Sequence, residues 1–347
     1  MSFPLRTAAF SAAALAVSAC GQPAGDPEAG AVNVFTARHY SSDEAVYAAF
    51  TEETGIAVNV IEAPGDLLIE RVRTDGERSQ ADVVITVDAG RLWRAEQAGL
   101  FQPAPELESA LSDVPANLRH PEGDWFGFAS RVRAVAYAED RVDPAEIQDF
   151  TDLADEAWRG RICVRSSSNV YNQSLLAGLI EAEGSEAAES WAAGIVANMA
   201  RPPQGGDTDQ IRAVAAGQCD VAIVNHYYLA RLERSEDPAD AEVAEAVDLV
   251  IADLAGQGAH VNISGAGLAA GAPNREQAVA FLEFLLSDQA QRAFAEFTNE
   301  YPVIQGAAYE NPVLAGWGAV DADPVNVNAL GENAGEAQRI FDRVGWP

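Results

Sequence analysis

Between residues 32 and 99, short apolar runs alternate with segments of helical periodicity, and this alternation constrains the fold more than any other feature of the chain. Val32–Phe35, Ile56–Ile61 and Ala81–Val87 read as buried strands. Asp43–Thr54, Asp66–Arg73 and Gly90–Ala98 read as helices, with Gly55 stopping the first and Gly99 the last. A βαβαβα order predicts a parallel sheet with helices on both faces. The pattern returns downstream. A short helix Thr151–Trp158 and a strand Arg161–Arg165 precede helices Leu175–Glu183, Glu186–Ala197 and Asp209–Ala216, and a strand Val221–Val224 follows. Between the two series lies a long extended run, Trp125–Tyr137, in which Arg131 and Arg133 alternate with Val132 and Ala134. The Gly-rich stretch His260–Leu268 reads as its return. Two lobes joined by two extended strands can hinge, and 347 residues suit two lobes better than one. Helices Glu276–Leu286, Gln289–Phe297 and one near Ala334–Val344 complete the chain.

In open α/β sheets, ligands bind outside the carboxyl ends of the strands. Three strands here deliver aromatic oxygen or imidazole nitrogen at that end. Val32–Phe35 is followed by His39 and Tyr40, Arg161–Arg165 by Tyr171, and Val221–Val224 by His226, Tyr227 and Tyr228. A lone tyrosine pair would more simply pack beneath a loop; three strand ends of one kind favour a site. Four phenols and an imidazole form an oxygen-rich, thiolate-free set suited to a hard trivalent cation. Each phenol must lose a proton to ligate, and a strongly acidic ion such as Fe3+ drives that near neutral pH. Adjacent residues of a strand face opposite ways, so Tyr227 and Tyr228 converge only if the chain turns there. His120 and His260 lie outside the set, and Tyr47, Tyr137 and Tyr301 fit packing positions. Ser166, Ser167 and Ser168 offer hydroxyls either to an anion or to a helix cap.

The formal net charge is -31, which argues against nucleic acid as a partner. There is no lysine, and all 22 basic residues are arginine. That removes Schiff-base lysines and the P-loop lysine. With no Gly-x-Ser-x-Gly elbow and no His-Glu-x-x-His, an exported hydrolase ranks last, and the chain reads as a non-enzyme.

At the N-terminus, Arg6 precedes an apolar run, Ala8 to Val17, too short to span a bilayer. Val17-Ser18-Ala19-Cys20 resembles a bacterial lipobox. The resemblance implies a lipoprotein signal peptide over residues 1–19, lipidation of Cys20, and a flexible tether through residue 31. It places the protein in the periplasm, anchored to a bacterial membrane. Export also implies an oxidising compartment, so the remaining pair, Cys163 and Cys219, is expected to form a disulfide closing a loop of about 57 residues.

The chain resembles the periplasmic ferric-ion-binding proteins of bacterial iron(III) ABC transporters, of the tyrosine-rich type. The resemblance runs from about residue 32 to the C-terminus. It rests on Arg38-His39-Tyr40, Ala81 to Leu92, Arg165 to Ser174, Arg201 to Asp209, Val224 to Tyr228 and Val261 to Gly267. It implies a two-lobed type II periplasmic-binding-protein fold, α/β in class, with a hinge and a metal cleft between the lobes. Residues 32–130 with 268–305 would form lobe 1, and 131–267 with 306–347 lobe 2. It further implies that Tyr40, Tyr171, Tyr227 and Tyr228 ligate Fe3+, with His39 as an optional imidazole ligand. Arg131 and Arg231 would stand by as charge partners. The position at which one branch of the family carries a Glu is Val87 here, so no carboxylate ligand is expected from it. His226 is either a hydrogen-bonder behind the ligands or exposed. The implied partners are an inner-membrane ABC permease and its ATPase, and the implied state a monomer. The alternative reading is the same fold binding an oxyanion or small organic solute through serines and arginines.

Overall fold

The computed structural model describes Asp26, residues 29–38, Tyr40 and residues 43–347. The expected signal peptide, Cys20, most of the tether, and His39 lie outside the described residues.

The strand–helix alternation forms as expected. β1 (Ala31–Thr36), β2 (Ala57–Glu62) and β3 (Val83–Val87) pair in parallel, with β1 central. The helices between them, Asp43–Thr54 and Gly65–Asp75, are the two expected, and Ala89–Gln97 follows β3. β4 (Phe126–Ala138) is the long run: thirteen residues, about 40 Å at 3.3 Å per residue. Its first part pairs antiparallel with β8 (Val261–Leu268) and β9 (Tyr301–Pro302). Its second part pairs with β6 (Val221–Asn225) and β7 (Val247–Val250). The change of partner falls between Val132, opposite Val261, and Arg133, opposite Asn225. β5 (Ile162–Cys163) pairs in parallel with β6, and the sheet path runs β2-β1-β3-β8-β4-β6-β5, so two half-sheets meet at β4 and β8.

Period-two alternation buries each half-sheet on both faces. Val34 and Ile85 pack in one core with Phe50, Phe128 and Phe281, while their neighbours Phe35 and Val84 pack in another with Leu68 and Val72. In the second half-sheet, Val135 and Ile223 pack with Phe150 and Trp191, while Ala134 and Val224 pack with Ile211 and Leu229. The C-terminal segment runs between halves: Leu314, Val327 and Leu330 pack in the first core, and Ile340, Phe341 and Trp346 in the core of Phe150. Among the described residues no helix is long and apolar enough to cross a membrane.

Cys163 and Cys219 are joined, with Cα atoms 5.8 Å apart. The bridge ties β5 to the residue preceding Asp220 and β6. Several elements differ from expectation. β5 is only Ile162–Cys163, and the helix after it spans Val170–Glu183, starting five residues earlier than periodicity suggested. Its side-chain cap is Asn169, whose Oδ1 accepts from the Tyr171 N–H at 3.1 Å; apolar spacing does not register a polar cap. Thr151–Trp158 resolves into two 3-10 segments, Phe150–Ala154 and Glu156–Trp158. The expected Gln289–Phe297 helix is Asp288–Ala293 running into a π-helical turn, Phe294–Thr298.

Candidate metal centre

β6 ends at Asn225, whose backbone is extended, and a helix begins at once, His226–Glu233. This helix resolves the geometry of the tyrosine pair. In its first turn, neighbours are separated by about 100° instead of pointing to opposite faces. The Tyr227 and Tyr228 rings lie 4.5 Å apart, centroid to centroid. Arg231 follows them by four and three residues, the spacing that puts side chains over one another on a helix. Its guanidinium carbon lies 4.8 Å from the Tyr227 ring centre and 5.4 Å from that of Tyr228. It is also 4.7 Å from the ring centre of Tyr40, which arrives from the end of β1. The Tyr40 and Tyr227 rings meet edge to face at 6.5 Å. Tyr171, in the first turn of the Val170–Glu183 helix, accepts a hydrogen bond on its hydroxyl from the Tyr227 hydroxyl at 3.4 Å. The structure therefore brings together Tyr40, Tyr171, Tyr227 and Tyr228.

Arginines surround these phenols. Arg131 and Arg133, two apart on one face of β4, lie 5.3 and 5.9 Å from the Tyr171 ring centre, and Arg165 lies 5.6 Å from it. Arg38 lies 4.8 Å from that of Tyr40. Carboxylates stand behind the arginines. Asp207, fully buried, takes Arg133 on one oxygen and Arg165 on the other, each at 3.0 Å. Glu300 and Asp43 share Arg38. Asp88 caps the Ala89–Gln97 helix, with a φ of 89° that non-glycine residues rarely adopt. Its carboxylate also accepts from Ser174, in the helix of Tyr171, at 2.7 Å. Arg131 is buried; its Nη1 donates to Ser264, its Nη2 lies 3.9 Å from Asp88 Oδ2, beyond hydrogen-bond distance, and its Nε has no hydrogen-bond acceptor. A buried guanidinium with unused donors marks a place where negative charge belongs.

Burial pushes all four phenols above their ordinary pKa, Tyr227 furthest, and neighbouring phenols add to the rise. The arginines act in the opposite direction, Arg131 on Tyr171 and Tyr227, Arg38 and Arg231 on Tyr40. His226 is buried, so the exposed alternative is excluded. Its Nε2 lies 2.8 Å from the Asn299 carbonyl oxygen and so carries the hydrogen, while Nδ1 accepts from the Val132 N–H at 3.3 Å. Burial lowers its pKa to about 4, leaving a neutral ring that pins the tyrosine helix to β4. His120 pairs with Glu96 elsewhere, and His260 lies at the start of β8, apart from the phenols.

Asp207, Glu300, Asp88, Arg38, Arg133, Arg165 and Asn225 were not among the residues expected at the site. One signal was present: arginines at alternate positions of an otherwise apolar strand demand buried anions, although the sequence does not say which. Among the described residues, no group of three or more His, Cys, Asp or Glu side chains is arranged to hold a metal. The donors that converge are phenolic oxygens, a set suited to hard, highly charged cations.

Residues 45–320 match the family described as bacterial extracellular solute-binding protein. Iron uptake protein A2 of Synechocystis is 51% identical over 318 residues, covering 91% of this chain and 90% of the relative. A Trichodesmium structure described as a complex with iron and citrate ligands superposes with a TM-score of 0.88 at 50% identity, covering 92% of this chain and all of the other. The ferric binding protein from Campylobacter jejuni superposes with a TM-score of 0.85 at 34% identity, covering 91% of this chain and all of the other. With a periplasmic-binding-protein fold built around β4 and β8 and relatives matched over nearly their full length, the chain belongs to the bacterial extracellular solute-binding proteins, in the branch that contains the iron uptake proteins.

Proposed function

We propose that this protein binds Fe3+ between its two half-sheets through tyrosinates and delivers it to an inner-membrane ABC permease for iron uptake. The observation that carries the reading is the convergence of four phenols from three strand ends, ringed by arginines. Tyr40, Tyr171, Tyr227 and Tyr228 are the proposed ligands, and His39, beside Tyr40 in sequence, is a further donor. The arginines suit this role because they favour the phenolate form that a ferric ion needs. Arg131 and Arg231 are the proposed charge partners and His226 a support behind Tyr227. The two half-sheets would act as lobes, parting and closing about β4 and β8. The protein is proposed to bind and not to catalyse. It would act as a monomer in the periplasm, held to the membrane through lipidated Cys20, with the permease and its ATPase as partners.

The test uses metal-free protein beginning after Cys20, titrated with chelated Fe3+. The expected result is an orange-red tyrosinate-to-iron charge-transfer band that saturates at one iron per chain and weakens in Tyr227→Phe. Tyr47→Phe, a buried phenol outside the site, should leave the band unchanged. Absence of the band at saturating iron would refute the phenolate site.

A further inference from the structure

Arg133 stands opposite Asn225 in the β4–β6 pairing, so both side chains leave the sheet on the same face. Arg133 Nη1 donates to Asp207 Oδ1 at 3.0 Å and to Asn225 Oδ1 at 3.2 Å. Its Nη2 donates at 2.8 Å to Oδ1 of Asn172, the neighbour of Tyr171. All four side chains are buried. A guanidinium has donors only, so the Asn225 amide atom facing it must be the oxygen. That fixes the amide, and its Nδ2 points at the Tyr227 hydroxyl oxygen, 3.1 Å away. The amide NH2 likewise only donates, so the Tyr227 oxygen always accepts on this side. Its own hydrogen is then directed to the Tyr171 hydroxyl, 3.4 Å away.

The geometry points to Asn225, locked by Arg133 and Asp207, as a positioning residue for the Tyr227 oxygen that also hydrogen-bonds it when a metal is bound. This rests on the iron reading above and adds a specific role within it. A metal would take the place of the hydroxyl hydrogen on the Tyr227 oxygen, which keeps a lone pair for the Nδ2 donor, so the bond persists in the loaded protein. There it joins a neutral donor to a phenolate, and such charge-assisted bonds are roughly twice as strong as neutral ones. The result is a ligand oxygen aimed before iron arrives and stabilised most once it has bound. Asp207 acts through the chain: it holds Arg133, Arg133 holds the amide, and the amide holds Tyr227.

Asn225→Leu removes the donor at similar size. A hydrogen bond to a phenolate oxygen lowers the energy of the electron pair shared with iron. Without it the charge-transfer band is expected at longer wavelength, with one iron still bound per chain and affinity reduced about tenfold in chelator competition. Asn225→Ala removes the same donor with less bulk and is read the same way if the leucine variant does not melt cooperatively. A purely structural role would change the melting temperature and leave the band where it was. A band at the wild-type wavelength with iron held as tightly as in wild type would overturn the assignment. Lack of any band in the wild-type protein would instead sink the iron reading itself.

Discussion

Replacing Arg38 with Met isolates one buried charge beside the candidate site. Arg38 is 2% exposed, and its Nε and Nη2 reach both oxygens of Asp43 at 2.9 and 2.8 Å. Its Nη1 reaches the two oxygens of Glu300 at 3.2 and 2.9 Å, and Ser264 at 2.6 Å. Methionine keeps much of the aliphatic stem, although the guanidinium that lies 5.3 and 5.4 Å from the Phe128 and Phe294 ring centres is lost. What disappears is the cation facing two carboxylates that are themselves buried, Asp43 at 4% and Glu300 at 1%. Breaking a buried pair from one side costs about 3–5 kcal/mol, because a charge is left in the interior without its partner. Glu300 supplies a sign that a generic packing defect would not. Burial works to raise its pKa, but Arg38 and then Arg131 prevail and hold it below the ordinary value of 4.5. A depressed carboxylate contributes stability above its unfolded pKa and loses it as pH falls. Without Arg38, burial dominates, Glu300 shifts upward, and the folded variant gains stability relative to wild type as protons become available.

The assay is equilibrium urea unfolding of the metal-free protein at a series of pH values from about 8 to about 5. The deficit of Arg38→Met should be widest at the alkaline end and narrow towards the acid end. Arg38→Met combined with Glu300→Gln should recover part of it at the alkaline end. A deficit that stays constant with pH, or one below about 1 kcal/mol, would refute the argument that this arginine neutralises buried carboxylates.

Two further outcomes follow from the same structure. Metal-free phenols with raised pKa values are protonated at neutral pH, so each phenol that ligates iron must release a proton; affinity should fall on acidification by about tenfold per pH unit per proton released, measured by competition with a chelator of known pH dependence. An affinity independent of pH between about 8 and 6 would contradict phenolate ligation. Opening the Cys163–Cys219 bridge, whose ends are 56 residues apart, should destabilise the chain by about 4 kcal/mol, read as the shift in urea unfolding on adding reductant.

The sequence made the βαβ order legible because each strand is a short, mostly apolar run and each helix of the first series ends near a glycine. The crossover was legible from its length alone. The tyrosines were legible because they follow strand ends, where a doubly wound sheet presents its ligand. Hidden was the helix that makes Tyr227 and Tyr228 neighbours on one side. His226-Tyr227-Tyr228 carries three aromatic rings into a first turn, where intrinsic propensity is modest, and tertiary packing around His226 decides the outcome. The start of the Tyr171 helix was hidden for a different reason: its first turn is polar, and Asn172 faces Arg133. Nor could the partners of Arg38 and Arg133 be read. Glu300 is 262 residues from Arg38, and Asp207 is 74 from Arg133, so nothing local joins them.

The absence of lysine acquires a physical meaning at this centre. A protein with a net charge of -31 draws cations towards itself from a distance. Immediately around the phenols the arrangement is reversed, with Arg38, Arg131, Arg133, Arg165 and Arg231 within 6 Å of a tyrosine ring centre. Those guanidinium groups would repel a bare cation, and on the proposed reading their value lies in what they do to the phenols: they favour proton loss from buried Tyr227 and from the partly buried Tyr40, Tyr171 and Tyr228. If the phenols ligate as proposed, only a cation acidic enough to complete that exchange gains the whole set of oxygens, so positive surroundings would select for high charge instead of excluding it. Lysine would serve poorly here, because a buried ammonium readily loses its proton, whereas a guanidinium stays charged and its planar fork holds the carboxylate or amide behind it in one orientation. The role of Arg133 depends on that difference: it can lock the Asn225 amide because it cannot accept a hydrogen bond and does not lose its charge.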